Sequence, residues 1–327
     1  MKHMTWTATA LGLAASLATP AAALECADGT RAFAHMGGET CIPAEPQRII
    51  GLHDQSVTLT LVELGAPVVG SHGRIDDSGA LYLRSVDLLF GLDFENSGIS
   101  YAGTWEQMDF EGMAAMEPDL IIGREWEMAD REKYEAIAPT VFIANSTSEP
   151  MNFPRDIADA AGVLDTYDRQ LGIYQANLER ARFALPDVQG ATYSKLQGWD
   201  GKLEVYAGYG GLTKVIEDIG MVKGTVGQEM ADRGVVWGET VSVEVLPQLE
   251  ADYLFDTYTI AYGDTLADPE ARLNEAVPGW CDFLSACAAG RYVVLPREYS
   301  TGYSFTQLNM LLQMVTTNVA NAPAPAS

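Results

Sequence analysis

Short apolar runs alternate with helical periodicity along most of the chain, and the alternation occurs twice. In the first copy Arg48-Ile49-Ile50-Gly51-Leu52 predicts a buried strand, Leu59 to Leu64 a helix, and Pro67-Val68-Val69-Gly70 a second strand. Leu120-Ile121-Ile122-Gly123 is a further strand, and Thr140-Val141-Phe142-Ile143 closes the set after the Ala138-Pro139 break. In the second copy Leu203-Glu204-Val205-Tyr206 leads into a helix from Leu212 to Ile219, then Gly220-Met221-Val222, and later Leu254-Phe255-Asp256. Apolar runs bounded by Gly and Pro, with helices between them, predict parallel sheets whose ligand loops lie at the carboxyl ends of the strands. Between the copies, Ile157, Ala161, Leu164, Tyr167, Leu171, Tyr174, Leu178, Ala181 and Leu185 recur every three or four residues until Pro186. That spacing predicts one long helix, or two broken near Gly162. The expected fold is α/β: two Rossmann-like lobes joined by a long backbone helix.

The pattern also bounds the parts. Lys2 and His3, the apolar run through Leu11, Leu13 and Leu17, then Pro20 and Ala21-Ala22-Ala23 form a signal peptide over 1–23. Glu25 before Cys26 does not suit a lipoprotein signal, so a soluble periplasmic protein is expected. No later run approaches the ~20 apolar residues of a membrane span. An N-terminal lobe follows over 24–153, opened by a ribbon (Arg31 to His35 and Glu39 to Ile42) that covers a sheet edge. The connecting helix occupies 154–186, the C-terminal lobe 187–319, and the Pro/Ala tail 320–327 has nothing to bury and is expected to be disordered. The stretch from Gly65 to Asp119 is about 22 residues longer than its counterpart from Gly220 to Asp252, which places an insertion between Ser71 and Ser100.

Composition narrows the partners. The 327 residues are 47% apolar and 20% charged, enough to bury two cores of roughly 100–150 residues each. Lys and Arg total 20 against 45 Asp and Glu, a net charge of −25, so nucleic acid is a poor partner. Such a surface chiefly sets solubility and steering, and acidic patches suit docking on a basic partner. Cys26 with Cys41, and Cys281 with Cys287, form two local pairs. In an oxidising compartment disulfides are the favoured state, and neither pair has the Cys-x-x-Cys plus His pattern of a zinc or redox site.

Positions just after strand ends are rich in aromatic and cationic side chains. His53 follows the first strand, His72 and Arg74 the second; Trp105 follows Ala102-Gly103-Thr104, and Arg124 and Trp126 follow Ile122-Gly123. The second lobe offers Tyr209, Trp237, Tyr258, Arg297 and Tyr299. Flat rings bury a bulky organic ligand at low entropy cost, and Arg gives planar hydrogen bonds to carboxylate, hydroxamate or catecholate oxygens. His53 and His72 are also of a type that ligates transition metals, and Tyr209, Tyr258 and Tyr299 are of the type that binds ferric or haem iron as phenolates. A loop histidine more often satisfies a backbone hydrogen bond, so no direct metal ligand is assigned. Gly208-Tyr209-Gly210-Gly211 lacks the spacing of a dinucleotide-binding turn. There is no Walker lysine motif, no H-E-x-x-H and no G-x-S-x-G, and His53-Asp54 has no identifiable nucleophile. No enzymatic activity is expected.

Several motifs run in order over roughly residues 30 to 318: Pro46-Gln47-Arg48-Ile49-Ile50, Glu63-Leu64-Gly65-Ala66-Pro67-Val68-Val69-Gly70, Phe110-Glu111, Met116-Glu117-Pro118-Asp119-Leu120-Ile121-Ile122-Gly123 and Tyr134-Glu135-Ala136-Ile137-Ala138-Pro139-Thr140-Val141. Trp237-Gly238 and Val241-Ser242-Val243-Glu244-Val245-Leu246 follow. In this order behind a signal peptide the chain resembles the periplasmic substrate-binding proteins of ABC importers for ferric siderophores, haem and cobalamin. The resemblance implies a class III binding protein: two lobes on a rigid helix, ligand between them, and small closure on binding. It implies a monomer without covalent cofactor that carries an Fe(III)-siderophore complex to a membrane permease, with haem or cobalamin as the alternative cargo. It also implies that one acid per lobe engages permease arginines, Glu111 or else Glu132 in the first and Glu244 in the second. Some members place an Arg where this chain has Trp105, so Arg74 or Arg124 is expected to replace that contact.

Overall fold

In the computed structural model, residues 24–76, 78–144 and 149–325 are described; the expected signal peptide and the last two residues lie outside them. Antiparallel β1 (Thr30–His35) and β2 (Gly38–Pro43) open the chain. They are followed by β3 (Ile49–Gly51), a π-helical turn running into α1 (Leu59–Glu63), and β4 (Val68–Ser71). The hairpin of β5 (Arg74–Ile75) and β6 (Leu81–Tyr82), with α2 (Arg84–Phe90), fills the insertion. Then come β7 (Ser100–Tyr101), α3 (Phe110–Ala115), β8 (Leu120–Arg124), α4 (Arg131–Glu135) and β9 (Thr140–Ile143). The five-stranded sheet has the order β7-β4-β3-β8-β9 and is parallel throughout. β3 and β9 are buried along their whole length, as expected of strands covered on both faces. The β1–β2 ribbon lies on the β9 edge, where the Met36 amide donates to the Phe142 carbonyl and the Phe142 amide to His35 Nδ1, each at 3.0 Å.

The spacer is two helices, α5 (Asn152–Ala160) and α6 (Leu164–Ala184). They break at Gly162, whose φ of +71° favours glycine. Phe153, Ile157 and Ala160 pack into the first lobe's core, while Tyr167, Tyr174, Leu178 and Ala181 pack into the second's. Each helix is thereby pinned to a different lobe.

The second sheet contains β10 (Thr192–Trp199), β11 (Lys202–Tyr206), β12 (Val222–Lys223), β13 (Gly238–Val241), β14 (Tyr253–Tyr258) and β15 (Tyr292–Pro296). Its order is β13-β11-β10-β14-β15, with β12 on β10. β10 runs parallel to β12 and β14 but antiparallel to β11, so this sheet is mixed rather than wholly parallel. The central strand is β10, which precedes the Leu203–Tyr206 run that the apolar pattern marked as the first strand of this lobe. Ser194, Lys195 and Gln197 are buried on β10, and polar residues inside a strand hide it from a search for apolar runs. Around the sheet stand α7 (Gly211–Asp218), α8 (Thr225–Asp232), α9 (Asp268–Ala276), α10 (Trp280–Phe283), α11 (Ser285–Ala288), α12 (Arg297–Ser300) and α13 (Phe305–Asn321). α13 runs two residues past Val319, into the segment expected to be tail. Both disulfides are formed, with Cα–Cα separations of 5.6 Å for Cys26–Cys41 and 5.2 Å for Cys281–Cys287. Among the described residues no helix is long and apolar enough to cross a membrane.

The lobes also meet directly. Glu63, at the end of α1, accepts the amides of Phe305 at 2.7 Å and Thr306 at 2.6 Å. A carboxylate of one lobe thus caps the last helix of the other, where the helix dipole and its free N–H groups favour negative charge. Gln55 Nε2 donates to Thr301 Oγ1 at 2.6 Å nearby.

Candidate functional site

A cleft of about 770 Å³ lies between the lobes, at the carboxyl ends of their strands. From the first lobe His53, Gln55 and Ser56 line it after β3, Arg84 at the start of α2, and Arg124, Glu125 and Trp126 after β8. The second lobe supplies Tyr209 after β11, Trp237 before β13, Arg297 after β15, and Tyr303.

The second-lobe wall is a layered aromatic platform. Trp237, 39% exposed, stacks on Tyr209, 1% exposed, with centroids 4.8 Å apart and planes 22° from parallel. Tyr206 stands edge-on to Tyr209 at 4.8 Å and to Trp237 at 5.8 Å. Beneath them the buried Lys195 ammonium lies 4.6 Å from the Tyr209 centroid and 4.7 Å from that of Tyr206, a cation–π arrangement. Lys195 pairs with Asp256 at 3.1 Å, and Asp256 also accepts from Tyr292 Oη at 2.8 Å. The Tyr209 hydroxyl turns inward to Thr257 Oγ1 at 3.0 Å, and burial pushes its pKa up to about 12. Tyr209 therefore supports Trp237 rather than offering a phenolate. The glycine run beside it is a packing requirement. A Cβ on Gly210, which has φ +55°, would strike the Thr301 carbonyl oxygen, and one on Gly211 that of Gly302. Only glycine lets this turn approach the second side of the cleft floor so closely.

On the first-lobe wall Trp126 is 65% exposed, with the Arg124 guanidinium 4.7 Å from its ring. Arg124 is matched from within its own lobe, Nη2 donating to Glu127 Oε1 at 2.7 Å and Nε to Oε2 at 3.3 Å. Behind this wall Asp54 is fully buried among His72 Nδ1 at 3.5 Å, Arg74 Nε at 3.5 Å, Arg84 Nη2 at 3.6 Å and His53 Nε2 at 3.9 Å. Among the described residues Asp54 Oδ1, His72 Nε2, Arg74 Nε and Arg84 Nε have no hydrogen-bond partner. The His53 and His72 rings stack at 5.4 Å. Burial, reinforced by the charges of Arg124, His72, Arg84 and Arg74, holds His53 well below the ordinary imidazole range. Burial brings His72 to about 4, against the opposing pull of Asp54. Both imidazoles are thus neutral at pH 7 amid guanidinium groups.

The expected wall residues divide into two sets. His53, Arg124, Trp126, Tyr209, Trp237 and Arg297 converge on the cleft, whereas His72, Arg74, Trp105, Tyr258 and Tyr299 lie off its lining. His72 and Arg74 form the layer behind His53 and Arg84. Trp105 sits 65% exposed on a turn, and Tyr299 packs against the second lobe's core. Arg84 and Tyr303 line the cleft without having been singled out. Arg84 follows the two-residue β6, too short to register as a strand end, and Tyr303 follows α12 rather than a strand. Among the described residues no group of three or more His, Cys, Asp or Glu could hold a metal ion. Glu111 on α3, Glu132 on α4 and Glu244 in the helical turn Val243–Leu249 are all exposed.

No protein-family model matches the chain. Over 250 residues it is 24% identical to the petrobactin-binding protein YclQ of Bacillus subtilis, covering 73% of this chain and 72% of that protein. It is 25% identical over 251 residues to the probable siderophore-binding lipoprotein YfiY of the same organism, covering 75% and 74%. The fold of Staphylococcus aureus SirA, solved with staphyloferrin B, superposes with a TM-score of 0.71 at 17% identity, over 89% of this chain and 98% of that one. With two α/β lobes pinned to a helical spacer and a cleft between them, the chain shares the fold of that siderophore-bound structure and is similar in sequence to siderophore-binding proteins.

Proposed function

We propose that the protein captures a ferric siderophore between its lobes and delivers it to the membrane permease of an ABC importer, by reversible binding in which no bond is made or broken. The observation that carries this reading is the pairing of two tryptophan faces, Trp126 and Trp237, on opposite walls of a cleft of about 770 Å³. That volume lies within the ~300–1,000 Å³ of sites that enclose a compact organic ligand. The siderophores named in its relatives support the same cargo. Exposed Glu111 or Glu132 on one lobe and Glu244 on the other would meet permease arginines, so that both lobes must be presented together. Both cleft tryptophans report on binding. Titration of the purified mature protein with ferric siderophores should quench their fluorescence to saturation at one ligand per chain. Saturation by haem or cobalamin alone, with no response to any ferric siderophore, would overturn the reading.

A further inference from the structure

Most cations along the cleft are matched within their own lobe. Arg124 has Glu127, Lys214 has Asp218 at 2.9 Å, and Lys223 has Glu217. Arg84 and Arg297 differ. Arg84 reaches Asp54 only at 3.6 Å, shares that carboxylate with Arg74, and leaves its buried Nε without a hydrogen-bond partner. Arg297 has no carboxylate within ion-pair distance among the described residues. The two come from opposite lobes, each opening a short helix, and those helices, α2 and α12, touch across the gap. Their charges repel, since Arg297 is among the groups that draw the Arg84 pKa down, after burial and alongside Arg74. His53, in the same lining, feels the charges of Arg124, Arg84 and Arg74, and the acid beside it, Asp54 at 3.9 Å, is already shared by Arg74 and Arg84. Of the acids in the lining, Glu217 is taken by Lys223, leaving Glu125 on the Trp126 side.

Two guanidinium groups held together without sufficient counter-charge form a site for anionic oxygen, and charge-assisted hydrogen bonds to such oxygens are the strong ones. The protein's net charge of −25 would by itself disfavour an anionic cargo. Beyond a Debye length of ~8 Å that field is screened, so the local guanidinium pair decides. We infer that the cargo is a chelate of net negative charge, and that Arg84 and Arg297 clamp its anionic oxygens from opposite lobes. The inference rests on the reading of the protein as a ferric-siderophore receptor, and it adds that charge selects among siderophores.

Fluorescence titration of the mature protein with ferric citrate, ferric enterobactin and ferrioxamine B separates the two claims. The first two are anionic, through carboxylates and catecholates respectively, and the third is a cationic hydroxamate. At least one anionic chelate should bind tenfold or more tightly than ferrioxamine B. Arg84→Gln and Arg297→Gln should each weaken that chelate by about 10- to 100-fold, while changing ferrioxamine B binding by less than about threefold. Arg297→Gln breaks no ion pair within the protein, so it carries the test if Arg84→Gln fails to fold. Preference for ferrioxamine B, or equal losses for both charges, overturns the clamp and leaves the receptor reading intact. No response to any of the three overturns both.

Discussion

Lys195 shows how one buried charge shapes the cleft from behind. Its ammonium is out of water beneath Tyr206 and Tyr209 and is held by Asp256. Removing one partner strands the other, so Lys195→Ala should cost about 3–5 kcal/mol in urea unfolding. A Lys195→Met, Asp256→Asn double variant should recover part of that loss, because both buried charges are removed together while the Asn side-chain carbonyl can still accept from Tyr292 Oη. Failure of the double variant to recover would mean that the aromatic platform itself needs the cation. The histidines give a second test. His72 titrates at about 4 when folded, against 6.5 ordinarily, so between these values the unfolded chain binds a proton that the native state refuses. Its contribution is intact above pH 6.5 and is lost as pH falls toward 4, about 3 kcal/mol over the window. His72→Asn should flatten the stability–pH curve there by that amount, and an unchanged slope would show that His72 is not the neutral buried group described. At this scale the site was partly legible. Strand-end placement picked out Arg124, Trp126, Trp237 and Arg297, which line the cleft, because parallel sheets expose those positions. It also raised Tyr299, which packs against the second lobe's core, and Tyr258, which lies off the lining, since the same rule does not say which way a side chain turns. It passed over Arg84, whose strand has two residues.

Among the elements, the cap on α13 links the lobes most directly. Glu63→Ala would leave the Phe305 and Thr306 amides without their acceptor and should lower stability by about 1–2 kcal/mol. Hydrogen exchange should quicken at those two amides, while Gln307, whose amide is held by Ser304 Oγ at 3.2 Å, keeps its protection. Unchanged exchange at Phe305 and Thr306 would show that the lobes are not joined there. The apolar pattern marked β3, β8 and β9 because strands covered on both faces are continuous apolar runs. The same criterion passed over β10, where Lys195 is buried because Asp256 on β14 pairs with it. A long-range charge pair of this kind leaves no local signal. The spacer was legible as helical because a three-to-four-residue apolar repeat is a local feature, but the repeat runs on through Gly162, so one long helix and two remained open until the glycine's φ of +71° showed the break.

In the whole molecule, each spacer helix packs into a different lobe and Glu63 ties the lobes together beside the cleft. Large rotation would break those contacts, so a cleft largely formed before ligand arrives is the expected state. Small-angle scattering should then show little change in radius of gyration on saturation with ferric siderophore, and a decrease of several ångströms would require a different hinge. The central claim concerns where the iron chelate resides. Anomalous diffraction at the iron K-edge, from crystals of the mature protein grown with a saturating ferric siderophore, tests this most directly. The account predicts a single iron peak between the lobes, flanked by Trp126 and Trp237 with Arg84 and Arg297 on the chelate's oxygens. A peak elsewhere on the molecule, or an empty cleft in crystals that carry the ligand's colour, would contradict it.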